Sequence, residues 1–456
     1  MIVMKFGGSS VESQKAVAAV TSIVQSYEHR SPIVVVSAMG KTTNKLISAA
    51  TEAAAGRREQ ALLLVDELRA YHLTHGLPLA GGSSAELDRY IRTHFEWLEE
   101  LVKGLSVVGE LSPRSLDAIA SVGERLSSLV VSFAFRAAGM RTQHVDSRRV
   151  ILTDDRFTQA QPLFEETYAL LREEVRPLAE SSVVVMGGFI ASTKDGHTTT
   201  LGRGGSDFSA AIVGAGVDAE EIQIWTDVDG MLTADPRVIG GGHRVKSISF
   251  AEAAEMAFFG AKVLHPATVL PAFEKNIPVL ILNSRRPDVE GTKITAAAVP
   301  CKNPVKSISC KRDIVLLNIR STRMLMAHGF LRRIFEIFDR HETSVDMLST
   351  SEVSLSLTLD GNTENLDEIC KEVSQFAEVT VETGQAIVCL VGENIRHTPG
   401  IAGRAFQVLS NMNIRMISQG ASLLNLGFAI ADTDLPAAVA ALHTEFFTEL
   451  DPAVFA

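Results

Sequence analysis

Short apolar runs separated by longer helical stretches set the rhythm of the first part of the chain. Ile2-Val3-Met4-Lys5-Phe6, Pro32-Ile33-Val34-Val35-Val36-Ser37 and Val183-Val184-Val185-Met186 are nearly continuous in apolar and β-branched residues. That is the pattern of strands covered on both faces, as in a parallel sheet. Residues 45–140 read as helices with short breaks, and Ser121-Val122-Gly123-Glu124-Arg125-Leu126 opens a long apolar one. Lys194-Asp195-Gly196 predicts a tight turn. Beyond Asp207, the positions Phe208, Ala211, Ile212 and Ala215 recur at helical spacing.

The character changes after Ile281–Gly291. Residues 292–312 read as a polar, strand-poor connection with Pro300 and Pro304. An internal repeat of about seventy residues follows. Its first copy predicts a strand at Ile314–Ile319, a helix with Phe330, Ile334 and Phe338 one turn apart, and strands at Ser344–Leu348 and Val353–Leu359. The second predicts a strand at Ile387–Val391, a helix holding Ile401, Ala405 and Leu409, and strands near Ile414–Ser418 and Leu426–Ile430. Gly329 aligns with Gly400, Arg333 with Arg404 and Phe335 with Phe406.

Two glycine junctions carry the chemistry. The first strand runs into Gly7-Gly8-Ser9-Ser10, with a helix expected from Val11. Val183–Met186 leads towards Thr198-Thr199-Thr200-Leu201-Gly202-Arg203-Gly204-Gly205-Ser206-Asp207 and the apolar helix beyond. Glycines let a backbone approach a ligand closely, and first-turn N–H groups point outwards with the positive end of the helix dipole. A bare Gly-Gly-Ser-Asp turn would serve equally as a simple helix cap. Arg203, a planar fork for carboxylate or phosphate, and three threonines in the same loop favour an anion site. Lys5, placed just before Gly7-Gly8, is aimed at phosphate on the same reasoning. Ser37, Thr43 and Asn44 are polar groups above a strand's carboxyl end, where open α/β sheets bind ligands.

Composition narrows the field. The 456 residues carry a net charge of −11, with 46% hydrophobic and 21% charged residues. The acidic balance disfavours nucleic acid and anionic membrane as partners, and an anionic ligand then needs a local positive pocket. Cys301, Cys310, Cys370 and Cys389 lack paired or metal-ligand spacing, so reduced thiols in a cytoplasmic protein are expected. No membrane span, signal peptide or metal site is expected from the pattern. Gly40-Lys41-Thr42 lacks the upstream glycine of a P-loop, Val35 standing there, and Gly214-Ala215-Gly216 follows a helix rather than a strand, against a dinucleotide fingerprint.

Lys5-Phe6-Gly7-Gly8-Ser9-Ser10-Val11, Ser37-Ala38-Met39-Gly40, Gly123-Glu124, the Thr200–Asp207 loop, Trp225-Thr226-Asp227-Val228-Asp229-Gly230 and Phe259-Gly260-Ala261-Lys262-Val263-Leu264-His265-Pro266 occur in one order. In order and spacing the chain resembles the aspartokinases over essentially its whole length, closest to the monofunctional, lysine-sensitive type. The resemblance implies an α/β amino-acid-kinase-type three-layer sandwich over residues 1–291, a linker at 292–312 and two α+β ACT domains. These would span 313–384 and 385–446, with 447–456 returning to complete the first. It also implies phosphorylation of the side-chain carboxylate of L-aspartate by ATP with Mg2+, giving 4-phospho-L-aspartate. Feedback by an amino-acid effector, L-lysine, and a homodimer or dimer of dimers through the ACT domains complete the expectation.

Residue by residue, the resemblance makes Lys5, Arg203 and Asp207 catalytic, with Arg203 on the α-carboxylate of aspartate and Asp207 orienting Lys5. Ser37, Thr43, Glu124, Gly204, Gly205 and Ser206 would complete the aspartate site, Glu124 accepting the ammonium. Lys5, Phe6, Gly7, Gly8, Thr226, Asp227, Leu232, Arg237, Lys262 and Val263 match nucleotide positions. Met324, Phe330, Leu331, Ser344, Val345, Asp346, Ser351 and Glu352 match the effector site. Three positions depart from the family: Asp229 where proline is frequent, Leu232 where an aromatic is, and Ala327 where a serine is. A carboxylate with an ordinary pKa of about 3.9 needs no general base, which suits motifs of cations and glycine amides. Two other readings stand beside this one: a kinase for glutamate, acetylglutamate or a nucleotide, and a non-enzymatic amino-acid sensor. Gly123-Glu124 and the tandem repeat weigh against the first; Lys5, Arg203 and Asp207 together weigh against the second.

Overall fold

The computed structural model describes residues 1–260, 266–297, 299–321 and 328–456, so Lys262, Val263 and Met324 lie outside the described residues. Two units emerge: Met1–Met231 with Leu264–Ala297, and Leu232–Val263 with Ala298–Ala456.

In the first unit, six strands run parallel in the order Thr142–Val145, Val183–Gly187, Pro32–Val36, Ile2–Phe6, Glu221–Thr226 and Val279–Asn283. Thr292–Thr295 adds an antiparallel neighbour. Every residue of the Ile2–Phe6, Pro32–Val36 and Val183–Gly187 strands is buried, as continuous apolar runs require. The two-residue period of a strand then sorts the faces. Ile2, Met4, Phe6, Val34 and Val36 join the apolar core built on helices Gln14–Ser26, Thr42–Ala54 and Val122–Ala137. Val3 points the other way, close to Gly214 in helix Gly205–Gly216. Lys5 shares that alternation. The stretch Pro113–Ala137 is long and apolar enough to cross a membrane, but 83% of its most apolar window is buried inside the fold.

The second unit holds a six-stranded antiparallel sheet in the order Met347–Thr350, Ser354–Asp360, Ser307–Arg320, Glu378–Val391, Asn425–Ala431 and Met416–Gln419. Helices Phe330–Arg340 and Leu366–Val373 serve the first repeat; Ile401–Val408 and Leu435–Phe446 serve the second. Both central strands are shared. Ile314–Arg320 pairs within the first module, while Ser307–Lys311 pairs with Ile387–Val391 of the second. The join is an irregular register at Lys311–Ile314, with Asp313 in left-handed conformation.

Several expectations change. The helix expected from Val11 begins at Gln14, because Ser13 caps it by accepting the Ala16 amide at 3.2 Å. The interval 292–312 is not strand-poor: it contains Thr292–Thr295, with Thr292 and Ile294 buried in alternation, and the start of Ser307–Arg320. Leu232–Val263, inside the stretch 1–291 expected to be the kinase domain, falls in the second compact unit. There the buried Lys306 ammonium meets Glu252 at 3.0 Å, and Glu255 accepts from Ser422 and Asn425. Residues 447–456 add no strand to the first module. Glu378–Glu382 already occupies that place beside Arg320–Leu316, and Phe455 instead bridges Val245. The strand expected at Ser344–Leu348 is Met347–Thr350, since Asp346 sits before it with its carboxylate bound to Lys311.

Candidate active site

The cleft lies at the carboxyl ends of the neighbouring parallel strands Ile2–Phe6, Pro32–Val36 and Val183–Gly187, where open α/β sheets bind ligands. A cleft of about 420 Å³ opens there, lined by Lys5, Gly8, Ser37, Ala38, Gly40, Lys41, Thr43, Asn44, Glu124, Phe189 and residues 202–207. Both glycine junctions read from the sequence therefore face one space.

The first junction is built tightly. After Phe6 the chain turns through a single 3-10 turn, Gly8–Ser10, tethered by the Gly7 amide donating to Trp225 O at 3.2 Å. A Cβ on Gly8 would stand 2.8 Å from Gly40 O and 2.9 Å from Ala38 O, so only glycine fits beside the second loop. At the second junction Gly204, in left-handed conformation at φ 72°, caps helix Gly205–Gly216; the Gly205 amide donates to Gly202 O at 3.0 Å, and Ser206 and Asp207 follow it along the cleft wall.

Lys5 and Asp207 meet across the two junctions, Nζ to Oδ1 at 2.7 Å. Lys5 is 9% exposed and sits on the face that carries helix Gly205–Gly216, which brings it within reach of that helix's first turn. Arg203 is exposed and makes no ion pair among the described residues. Lys5, Lys41 and Arg203 give the cleft three cations against the carboxyl groups of Asp207 and Glu124. The chain is acidic, yet this cleft is positive.

Glu124 is the most informative group. It lies in the first turn of helix Val122–Ala137 and is 3% exposed. Oε1 accepts the Ala38 amide at 3.1 Å, while Oε2 is buried without a hydrogen bond of good geometry. Burial pushes its carboxyl up to about 8, against smaller opposing effects from the Ala38 amide and the nearby Thr43 hydroxyl. A buried carboxyl with an unused oxygen is costly unless a cation completes it. An ammonium is such a cation.

One supporting residue escaped the sequence reading. Asp117, 1% exposed, accepts from the Thr200 hydroxyl at 2.6 Å, the Thr200 amide at 3.0 Å and the Thr158 amide at 2.8 Å. It pins the strand Thr198–Thr200 that delivers the Arg203 loop. Burial raises its pKa in spite of these three donors. Its signal was an aspartate beside buried Ile119 and Ala120 on helix Pro113–Ala120.

The expected nucleotide residues divide. Thr226 ends the strand beside Ile2–Phe6 and Asp227 follows it, with Thr226 Oγ1 donating to Asp227 Oδ1 at 3.3 Å. Leu232 and Arg237 belong to the second unit, where Arg237 is held by Asp235 through Nη2–Oδ2 at 2.6 Å. Asp229, the departure from the family's proline, accepts from Asn283 at 2.6 Å and pairs with Arg286.

Of the expected effector residues, Phe330 opens helix Phe330–Arg340 and turns its ring onto Phe376, centroids 5.7 Å apart. Leu331, Ser344, Ser351 and Glu352 are exposed, and Val345 packs against the first module's core. Asp346 holds Lys311 Nζ at 2.8 Å through both oxygens, and Lys311 also reaches Asp360 at 2.8 Å. Burial raises the Asp346 carboxyl, with the Lys311 contacts opposing. An ammonium already sits where an effector's was expected.

Residues 1–283 match the amino acid kinase family and residues 388–446 the ACT domain. Over 98% of its length the chain is 37% identical to the lysine-sensitive aspartokinase 3 of Escherichia coli, covering 99% of that protein. The chain belongs to the aspartokinase family. Two solved structures of E. coli aspartokinase III superpose on this aspartokinase with TM-scores of 0.84. One, with aspartate and ADP, is 37% identical, covering 98% of this chain and 100% of that one. The other, with lysine and aspartate, is 36% identical, covering 98% and 99%. The protein is thus a kinase with an amino-acid-kinase α/β unit and α+β ACT modules, as the motifs implied.

Proposed function

We propose that the protein transfers the γ-phosphoryl group of ATP to the side-chain carboxylate of L-aspartate, and that L-lysine inhibits it through the ACT modules. The observation that carries the substrate assignment is Glu124: a buried carboxyl with an unpartnered oxygen, facing a cleft that also holds Arg203. An α-amino acid offers the matching pair, an ammonium for Glu124 and an α-carboxylate for the Arg203 fork. Aspartate's second carboxylate then points towards Lys5.

Phosphoryl transfer between two anions asks for positioning and charge stabilisation rather than a base. The Gly7-Gly8 turn and the amides at the start of helix Gly205–Gly216 supply donors to the transferring group. Lys5 supplies the mobile point charge and Asp207 fixes its direction. Gly204, Gly205 and Ser206 shape the aspartate side with Ser37 and Thr43. Thr226, Asp227, Leu232, Arg237, Lys262 and Val263 are assigned to the nucleotide, whose Mg2+ spreads the charge of its phosphates when bound.

For regulation, Met324, Phe330, Leu331, Ser344, Val345, Asp346, Ser351 and Glu352 form the proposed lysine site, with Asp346 changing partner from Lys311 to the effector. The name of the lysine-sensitive aspartokinase 3 of E. coli and its solved complex with lysine support lysine as the effector. ADP release measured with aspartate, glutamate and acetylglutamate as acceptors, with and without lysine, tests both halves. Turnover on glutamate or acetylglutamate alone rejects the substrate, and turnover of aspartate that lysine leaves unchanged rejects the effector.

A further inference from the structure

A second cavity, of about 270 Å³, adjoins the Gly187 backbone. Its polar wall comes from Tyr90 and His94 of helix Ser84–Val108, Arg125 and Ser128 of helix Val122–Ala137, and His144 and Asp146 beyond it. None of its lining residues lines the catalytic cleft.

The charges there do not cancel. Arg148 holds Asp146, with Nε 3.0 Å from Oδ1 and Nη2 2.5 Å from Oδ2, and reaches Thr198 Oγ1 at 3.2 Å. That pair accounts for the carboxylate. The Arg125 guanidinium has no hydrogen bond or ion pair among the described residues. His94 Nδ1 is bonded to Tyr90 O at 2.8 Å and His144 Nε2 to Ser128 Oγ at 3.0 Å, leaving the other nitrogen of each ring without a partner among the described residues. A partly buried guanidinium without an anion is an unfinished arrangement.

We propose that this cavity is an oxyanion-binding site, in which Arg125 grips a phosphate or carboxylate group beside His94, His144 and Ser128. The planar fork of arginine matches either group with two parallel hydrogen bonds. The volume lies just below the roughly 300–1,000 Å³ of drug-sized ligand pockets, so the occupant is small. Electrostatics agrees. Burial and then the Arg148 charge bring the Arg125 guanidinium down to about 10. Burial and then the Arg125 charge press the His94 imidazole down to about 4, and burial does the same to His144. Asp146 opposes each of these effects without cancelling it. A bound anion relieves the strain on all three groups at once.

The test is calorimetric titration with inorganic phosphate, and separately with succinate, at fixed ionic strength. The proteins are the parent, Arg125→Gln, Arg125→Lys and Arg203→Gln, the last removing a cation from the catalytic cleft. Expected is saturable binding that is weakened roughly tenfold or more in Arg125→Gln and left within about twofold in Arg203→Gln, which removes only what the catalytic cleft holds. Whichever of phosphate and succinate binds more tightly in this Arg125-dependent way identifies the class of occupant. Arg125→Lys keeps the charge but loses the fork, so it should weaken binding with no change in unfolding temperature. Saturable binding of neither probe, loss in Arg203→Gln with retention in Arg125→Gln, or unchanged affinity in Arg125→Lys would overturn the assignment.

Discussion

The Lys5 ammonium stands 2.7 Å from Asp207 Oδ1, joining the first strand of the sheet to the first turn of a helix far along the chain. The pair is largely shielded from water, and its cation is the one the transferring phosphoryl group would meet. Lys5→Ala should therefore lower kcat by roughly 100- to 1000-fold, the loss of about 3–4 kcal/mol that follows removal of one transition-state donor. Aspartate affinity, measured by calorimetry, should change little. A kcat within threefold of the parent would remove Lys5 from the chemistry.

The Arg203 guanidinium has no partner among the described residues, so its substitution reads directly on the substrate. Arg203→Lys should raise the aspartate KM about tenfold through loss of the two-pronged contact. The ATP KM should stay near the parent value. The opposite split in steady-state kinetics would assign Arg203 to the nucleotide.

Glu124 predicts a pH dependence. Its folded-state carboxyl is pushed up to about 8, so below that pH it is protonated and must lose a proton to receive an ammonium. The kcat/KM for aspartate should rise with pH towards about 8 and then level, and Glu124→Gln should abolish both the activity and the slope. Stability runs in the other direction. A carboxyl whose folded pKa is raised binds its proton more tightly in the native state, so stability falls as pH climbs from about 4.3 towards 8. At pH 8 Glu124→Gln should melt higher than the parent by roughly 2–4 °C, corresponding to at least about 1 kcal/mol. A lower melting temperature there would contradict the unpaired-carboxyl reading.

In the regulatory unit, Glu352→Ala should weaken lysine inhibition and leave uninhibited kcat unchanged, because Glu352 is exposed and holds nothing up. In the parent, a coupling of about 2–3 kcal/mol corresponds to roughly 30- to 150-fold inhibition at saturation. Asp346→Ala should weaken inhibition too, with added loss of stability, since it strands Lys311 beside Asp360 alone. Equal lysine affinity in the parent and Glu352→Ala proteins would displace the site.

The Lys306–Glu252 pair is buried at both ends, with exposures of 1% and 0%. Lys306→Met should cost about 3–5 kcal/mol by leaving Glu252 charged and enclosed. Adding Glu252→Gln should recover much of that in denaturant titrations. Additive losses would show that the two side chains act separately.

The motifs of the cleft were legible because each combines a strand pattern with glycines whose geometry has few alternatives, as at Gly7-Gly8 and Gly204-Gly205. The meeting of Lys5 with Asp207 followed from family likeness and not from spacing; only strand alternation on the folded sheet explains it. Asp117 stayed hidden because one aspartate in a short helix resembles a surface residue until the Thr200 loop folds onto it. The strand at Ser307–Cys310 was missed for a similar reason. Its serines are polar in sequence but buried, with Ser307 Oγ donating to Leu232 O at 2.9 Å.

The strand Ser307–Arg320 has a consequence for how the regulatory half can be divided. Its opening residues complete the second module, and its remainder forms the centre of the first. A cut after residue 384 would strip the partner from Ser307–Lys311 and expose a bare row of amides and carbonyls. A cut before Ile314 would deprive the second module of an edge it does not encode in its own repeat. The two repeats, separate as stretches of sequence, are therefore a single piece to a protease, to a denaturant and to any deletion series.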